Sequence, residues 1–207
     1  MDLKIVSAPL TIFDKTTVVT VPEMRRHARI TQPDEDRQIA EDIEAAYDFL
    51  SGPNGWLGGC SLLTEQWEAY ARGPDDIRRD FNLPMRPFQS LVSFDFLQAN
   101  GSYLPVDPAS YLYDNVTGFA RFTSVGFTPW PYIGTAHDRA YRFRFMSGFG
   151  TTREAIPSPI RKGIKMLASH WYNQRETIGT EGRSPGKEVA YGLVHLCGRY
   201  RVGPDHS

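Results

Sequence analysis

The chain has 207 residues, of which 41% are hydrophobic and 13% aromatic, so global disorder is excluded and a substantial core is expected. Its 18 glycines and 15 prolines exclude an all-helical bundle, because these residues favour turns and interrupted strands. The formal net charge is −1, and the two cysteines are too few for a disulfide scaffold.

Two helices are predicted near the amino terminus. Thr20-Val21-Pro22-Glu23 is typical of a helix start, since Thr20 can cap the helix and Glu23 can reach back to it. A second helix is predicted over residues 31–50, where apolar residues recur at helical spacing. These residues are Ile39, Ile43, Ala46, Tyr47 and Leu50. Residues 31–50 also carry seven acidic residues and one arginine, a net charge of −6, so their outer face requires solvent or a basic partner.

The middle of the chain, residues 61–150, changes to short β-type runs separated by glycine and proline. Strands are predicted at residues 63–70, 91–97, 119–122 and 141–145. The last of these strands alternates aromatic residues with Arg142 and Arg144, which predicts one core face and one charged face. Residues 123–138 are too apolar for a solvent-exposed loop without contacts and too rich in proline for a central strand. We therefore expect a long loop that docks on a neighbour.

The last third of the chain is predicted to be helical. Ser158 and Pro159 begin a helix that ends near Glu176, and its apolar stripe consists of Ile160, Ile164, Leu167, Ala168 and Trp171. A polar linker, residues 179–186, precedes a short amphipathic helix whose apolar face requires a partner surface. The pattern as a whole predicts an α+β fold, a mainly helical body with an antiparallel β insertion in the middle.

Sequence motifs for catalysis are largely absent. The chain has no glycine-rich phosphate loop, no nucleophile elbow and no paired zinc-ligand motif, and its five histidines are scattered. We therefore predict no enzyme activity, no catalytic residue, no metal site and no cofactor. Two alternatives remain open: a small cytoplasmic hydrolase that uses His170 as a general base, and a DNA-binding module that uses the basic segment 139–175.

Opposite charges are concentrated in two parts of the chain. The acidic helix is balanced by the segment from Arg139 to Arg175, which has eight basic residues and one acidic residue, a net charge of +7. In a head-to-tail ring, two different faces of every copy meet and opposite charges on them are favourable. The predicted subunit-interface residues are Glu41, Asp42, Glu44, Arg142, Arg144, Arg161, Lys162 and Lys165.

Five segments together resemble the head-to-tail connector, or adaptor, proteins of long-tailed phages and of phage-derived gene transfer agents. The segments are Val19–Ile30 with the acidic helix that follows, Leu83–Ser90, Tyr141–Gly150, Ile156–Glu176, and a terminal group that includes Ala190–Leu193. The resemblance covers nearly the whole chain, and the segments occur in the same order.

The resemblance implies a dodecameric ring beneath the portal protein. Such a ring extends the channel through which double-stranded DNA passes without sequence preference, carries a stopper or tail-terminator protein, and has no contact with membranes. It implies an adaptor body of residues 1–178, with helices at 20–51 and 158–176 and a β region at 61–150, followed by a linker and docking segment at 179–207. The implied location is the head-to-tail junction of a virion or gene transfer agent particle, after synthesis in the host cytoplasm. The predicted portal-docking residues are Tyr191, Gly192, Leu193, Leu196, Cys197, Tyr200 and Arg201.

Overall fold

The strands of the middle region and the helices of the two ends belong to different compact units. The structure is a computed structural model, and it describes residues 4–5, 13–77, 80–116, 118–125, 130–131, 137–174 and 187–202. The chain divides into a β unit, formed by Met1–Ile12 and Leu63–Phe149, and a helical unit, formed by Phe13–Leu62 and Gly150–Ser207.

The described residues of the β unit form two antiparallel sheets. The strands, in chain order, are β1 (Lys4–Ile5), β2 (Glu65–Ala71), β3 (Asp80–Asn82), β4 (Phe88–Leu97), β5 (Tyr103–Pro105), β6 (Tyr111–Val116), β7 (Phe119–Ser124) and β8 (Tyr141–Ser147). The larger sheet has the order β1-β2-β8-β4-β5, and the smaller sheet has the order β3-β7-β6. Strand β8 is therefore the centre of the larger sheet and pairs along its whole length with both β2 and β4.

Aromatic side chains form the core of the β unit. The alternation predicted for β8 is confirmed, since Tyr141, Phe143 and Phe145 are buried while Arg142 and Arg144 lie on the opposite face. The ring of Phe143 stacks on the ring of Phe94 with centroids 4.3 Å apart, and Phe94 lies opposite Phe143 in the register of β4 and β8. Such stacked pairs add about 0.5–1.5 kcal/mol to the free energy gained from burying the rings.

The helical unit contains four α-helices within the described ranges. They are α1 (Val21–Ala28), α2 (Asp36–Leu50), α3 (Ser158–Asn173) and α4 (Lys187–Cys197). The capping box predicted for α1 is present, because the side chain of Thr20 accepts a bond from the Glu23 N–H while the Glu23 carboxylate accepts one from the Thr20 N–H. Helix α2 begins at Asp36, after a turn of 3-10 helix at Pro33–Glu35, so the second helix starts later than predicted.

The predicted mainly helical body with one β insertion is wrong. Residues 65–147 form two sheets around a core of their own, and this core is as well buried as the helical one. Strands β1, β3, β5 and β6 were not predicted, because three of them have only two or three residues and β6 exposes an apolar residue, Leu112.

The loop predicted to dock on a neighbour lies largely outside the described residues, which omit 126–129 and 132–136. Trp130 is described, and it is only 8% exposed. Its indole Nε1 donates a hydrogen bond to the carbonyl oxygen of Ile77 over 2.8 Å. This tryptophan therefore packs in the core of the β unit to which it belongs. None of the helices in the described ranges has the length and hydropathy needed to cross a membrane.

Candidate subunit interface

The acidic residues of α2 line a groove of about 530 Å³, which we call the acidic groove. Glu41, Asp42, Glu44 and Asp48 supply its carboxylates, and the ring of Trp171 from α3 forms part of its wall. The core-facing positions of α2 are fully apolar, so amphipathicity places all of these acids on its outer side. The groove is thus a carboxylate rim beside an aromatic surface.

Only part of this negative charge is neutralised within the unit. The exposed Arg37 lies 3.1 Å from Glu41, one helical turn away, and Lys15 binds Asp48 over 2.6 Å. Exposed pairs of this kind are worth at most about 1 kcal/mol. Glu44 is exposed and makes no ion pair with any residue that the structure describes. The acidic groove therefore keeps a net negative charge.

A second groove of about 370 Å³, which we call the basic groove, lies between α1, α3 and α4. His27, Lys162 and Lys165 line it, and none of the described residues that line it is acidic. Burial lowers the pKa of His27 below its ordinary value, and the positive charges of Lys165 and Lys162 lower it further. Across the described residues neither lysine has an ion-pair partner, so the positive charge of this groove is uncompensated.

The two grooves lie on opposite sides of α3. Lys162 and Trp171 are nine residues apart, which at 3.6 residues per turn is about two and a half turns. Ser158 and Lys165 share the side of Lys162, while Ile160, Ile164 and Leu167 share the side of Trp171. The predicted residues Lys162 and Lys165 are therefore brought together, and they point away from Glu41, Asp42 and Glu44.

Two further basic residues of the helical unit are held inside it. Arg153 makes two hydrogen bonds of 2.8 Å to the carboxylate of Glu23. This hydrogen bonding from Arg153, helped by the Thr20 N–H, lowers the pKa of Glu23 from 4.5 to about 2. Arg161 is half-buried on α3, and its Nε atom is buried without a hydrogen-bond partner among the described residues.

The structure places Arg142 and Arg144 in the β unit, where both are already paired. The guanidinium of Arg142 binds the carboxylate of Asp95 over 2.9 Å and lies 4.0 Å from the ring centre of Tyr103. Arg144 binds Glu68 over 2.7 Å. Both pairs cross between neighbouring strands on the outer face of the larger sheet. The positive charge of these two arginines is thus offset locally.

A tyrosine extends this network of the β unit. The hydroxyl of Tyr70 donates a 2.6 Å hydrogen bond to Glu68. Burial, together with this bond to a carboxylate, raises the pKa of Tyr70 to about 12. The guanidinium of Arg139 lies 5.2 Å from the centre of the same ring. The network therefore contains charged and polar groups that stabilise one another within one sheet.

The predicted docking residues of α4 separate into buried and exposed groups. Leu193 and Cys197 are fully buried, and α4 packs closely on α3 at Gly163, where a Cβ would lie 2.9 Å from the Cys197 sulfur. Burial raises the pKa of the Cys197 thiol to about 11. Tyr191 and Val194 are 67% and 52% exposed. The apolar face of α4 thus has a partner in its own chain, while a smaller apolar patch faces outward.

The remaining predicted docking residues lie around this helix. Gly192 approaches Met166, Leu196 borders the basic groove, and Tyr200 is half-buried. The exposed Arg201 lies 4.8 Å from the ring centre of Trp56, next to a hydrogen bond from the Val202 N–H to the Leu57 carbonyl. Val194 was missed in the sequence, although its spacing of three from Tyr191 places both on one side of the helix. The predicted linker, residues 179–186, lies outside the described residues.

In the part of the chain that the structure describes, no group of three or more His, Cys, Asp or Glu residues could hold a metal ion. The two cysteines are both buried and free. The basic segment 139–175 is divided between the two units, because the chain passes from the β unit to the helical unit at Phe149 and Gly150.

These helices and antiparallel sheets form a fold that is shared with chains of gene transfer agent particles. The chain is similar to a chain in the virion of a native gene transfer agent particle, with a TM-score of 0.70 and 20% identity over 95% of both chains. It is also similar to a chain in the neck of an empty gene transfer agent particle computed with C6 symmetry, with a TM-score of 0.67 and 23% identity over 98% of this chain and 96% of the other.

A chain in the neck of a native gene transfer agent particle computed with C12 symmetry matches with a TM-score of 0.65 and 21% identity, again over 98% and 96% of the two chains. No protein-family model matches the sequence, and no curated protein matches it significantly. The resemblance to head-to-tail connector proteins is therefore confirmed in the fold, along nearly the whole chain.

Proposed function

We propose that this protein is a structural component of a particle neck, at the head-to-tail junction of a virion or gene transfer agent, where copies of it form a ring. The observation that carries the proposal is the fold shared over 98% of the chain with neck chains of particles computed with sixfold and twelvefold symmetry. The charged grooves support it, because a ring contact joins two different faces of each copy.

The finer proposal is a dodecameric adaptor. In this role the ring lies between the portal and the stopper or tail components and extends the DNA channel, and it performs no chemical turnover. The body comprises residues 1–178, and the segment 179–207 docks on the portal. The outward-facing Tyr191 and Val194 support this docking, because exposed apolar residues on one helix face are typical of a contact surface.

Mass spectrometry of purified particles tests the proposed function. Particles are prepared from cells that encode the chain, and its copy number is measured against isotope-labelled standard peptides, with the major head protein as an internal reference. We expect the chain to be present at a fixed number of about twelve copies per particle, as twelvefold symmetry predicts. Its absence from intact, tailed particles would contradict the proposal.

Pull-down with the portal protein tests the docking surface. A Tyr191→Ala/Val194→Asp variant should lose at least tenfold in affinity, as should a chain that lacks residues 179–207. The matched control is Leu112→Asp, which alters a residue of the β unit that is 66% exposed. Full binding by the first two variants, or equal loss by the control, would show that α4 is not the docking element.

The two alternatives gain no support from the described geometry. For DNA binding, the basic segment is divided between the units, and three of its arginines, Arg142, Arg144 and Arg153, are bound to carboxylates. For hydrolysis, a His170→Ala variant that assembles and functions normally would show that His170 is not a general base on which function depends.

A further inference from the structure

We infer that the basic groove of one copy receives the carboxylates of the acidic groove of a second copy, so that the two sides of α3 form the two halves of one repeated contact. This inference rests on the proposed function, because it names the contact by which the proposed ring closes. The residues that carry it are Lys162 and Lys165 on one side and Glu41 and Glu44 on the other.

Charge complementarity selects a second copy as the partner. The basic groove places two lysines and a histidine together, with no acidic residue among the part of its walls that the structure describes. The acidic groove places four carboxylates together, and Glu44 is exposed without an ion-pair partner among the described residues. Each groove thus lacks what the other presents, and the same chain supplies both. Complementary potentials of this kind direct association and fix its register.

The geometry selects a ring over a twofold dimer. In a twofold dimer the same patch of both copies lies at one shared interface. The basic and acidic grooves lie on opposite sides of α3, so a single twofold interface cannot bring both pairs of grooves together. A contact between two different faces leaves the pair of copies with one free basic face and one free acidic face, and its repetition gives a ring when the rotation closes, as the proposed function requires.

Both grooves also offer apolar surface to a partner. Trp171 and Phe49 meet edge to face in the acidic groove, with ring centres 6.0 Å apart. Pro159 and Leu196 line the basic groove beside the lysines. Salt bridges at the rim of a contact contribute little by themselves, so apolar burial provides affinity while the charges select the face.

A pair of charge-reversal variants tests the inference. The first, Lys162→Glu/Lys165→Glu, carries acidic side chains in both grooves. The second, Glu41→Lys/Glu44→Lys, carries basic side chains in both grooves. Each variant alone repels its own copies, whereas the two together attract one another at every contact. An alternating ring closes for six or twelve copies, since both numbers are even. The matched control is Arg26→Glu/Arg29→Glu, which reverses two exposed basic residues of the helical unit that line neither groove and make no ion pair with a described residue.

The readout is the copy number of the chain in purified particles, measured by mass spectrometry, with circular dichroism of each purified variant as the check on folding. We expect each double variant alone to fall at least tenfold below the native copy number. Cells that produce both variants should recover at least half of the native number, with the two variants in equal amounts. The control variant should be incorporated like the native chain.

Three results would overturn the inference. One is incorporation of either folded variant alone at the native level, and another is a mixture that performs no better than its members. The third is loss of duplex DNA binding by the lysine variant without rescue by the mixture, which would assign the basic groove to phosphates. If the native chain itself were missing from particles, the proposed function would fail; if native chain and variants were incorporated equally, only this inference would fail.

Discussion

The β unit and the helical unit differ in whether certain charged side chains have ion-pair partners. On the outer face of the larger sheet, Arg142 and Arg144 bind Asp95 and Glu68, and the carboxylate of Asp95 is almost completely buried. In the helical unit, Lys162 and Glu44 make no ion pair with any described residue. The paired charges of the larger sheet therefore contribute to the stability of the β unit, whereas the charges of Lys162 and Glu44 are available to a partner.

This difference shows why the net charge of a segment is a poor guide to its role. The segment from Arg139 to Arg175 is strongly basic in sequence, yet Arg142 and Arg144 are paired with carboxylates of strands that are distant in the chain. Lys162 and Lys165 of α3, in contrast, make no ion pair with any described residue. We therefore predict that removing the charge of Arg142 or Arg144 destabilises the fold, whereas removing the charge of Lys162 or Glu44 weakens assembly.

The largest expected effect comes from the aromatic core of the β unit. A Phe143→Ala variant removes a fully buried ring that stacks on Phe94, and it should destabilise the β unit by about 3 to 5 kcal/mol. Hydrogen exchange of the backbone amides of β4 and β8 measures the loss. Leu112→Ala is the control, since that residue is 66% exposed. Unchanged protection of β4 and β8 would show that this ring does not organise the unit.

The next effect separates the two kinds of charge. An Arg142→Met variant leaves the buried Asp95 carboxylate without its partner and should cost about 3 kcal/mol in the β unit. Lys162→Met should change the stability of the helical unit by less than about 0.5 kcal/mol, because no ion pair is broken. Hydrogen exchange of each unit measures both values. Equal costs for the two substitutions would remove the distinction between the units.

Acid should weaken the helical unit through Glu23. Its pKa is about 2 in the folded protein and 4.5 when it is free, so the stabilisation is complete above pH 4.5 and is lost as the pH falls from 4.5 towards 2. A Glu23→Gln variant should be less stable by about 1 to 2 kcal/mol at neutral pH and should lose less stability over this pH range. Identical acid unfolding curves for variant and native chain would refute this role of Glu23.

The smallest effect concerns the exposed pair of Lys15 and Asp48. An Asp48→Asn variant should lose about 0.5 kcal/mol, and the difference should shrink in high salt, because both side chains are exposed. Thermal unfolding at low and high ionic strength measures it. A loss above 2 kcal/mol would mean that the acidic face of α2 stabilises the fold itself.

Local patterns in the sequence predicted local structure well. The start of α1 followed from Thr20 and Glu23, and the faces of β8 followed from its strict alternation. Strand β6 was missed because exposed Leu112 lies between Tyr111 and Tyr113, so an unbroken apolar run conceals which residues face the core. For the candidate interface, the acidic residues of α2 and the lysines of α3 named from the sequence line two grooves, while Arg142 and Arg144, grouped with those lysines, are paired within the β unit.

What could not be predicted depends on contacts between distant residues. The pairing of Arg142 with Asp95 requires the register of β4 against β8, which no local pattern specifies. The division into two units could not be predicted from the sequence either, since no long linker marks the boundaries at Leu62–Leu63 and Phe149–Gly150. The separation of the two grooves follows only from the packing of α3 between α2 and the other helices.

Zero-length cross-linking in purified particles tests the central claim most directly. A carbodiimide joins a lysine to a carboxylate only when the two groups are in contact, and particles assembled from equal amounts of unlabelled and ¹⁵N-labelled chain distinguish links within one copy from links between copies. We predict links from Lys162 or Lys165 to Glu41 or Glu44 that join labelled to unlabelled peptides. Particles that contain the chain but give inter-copy links only at other residues would contradict the account.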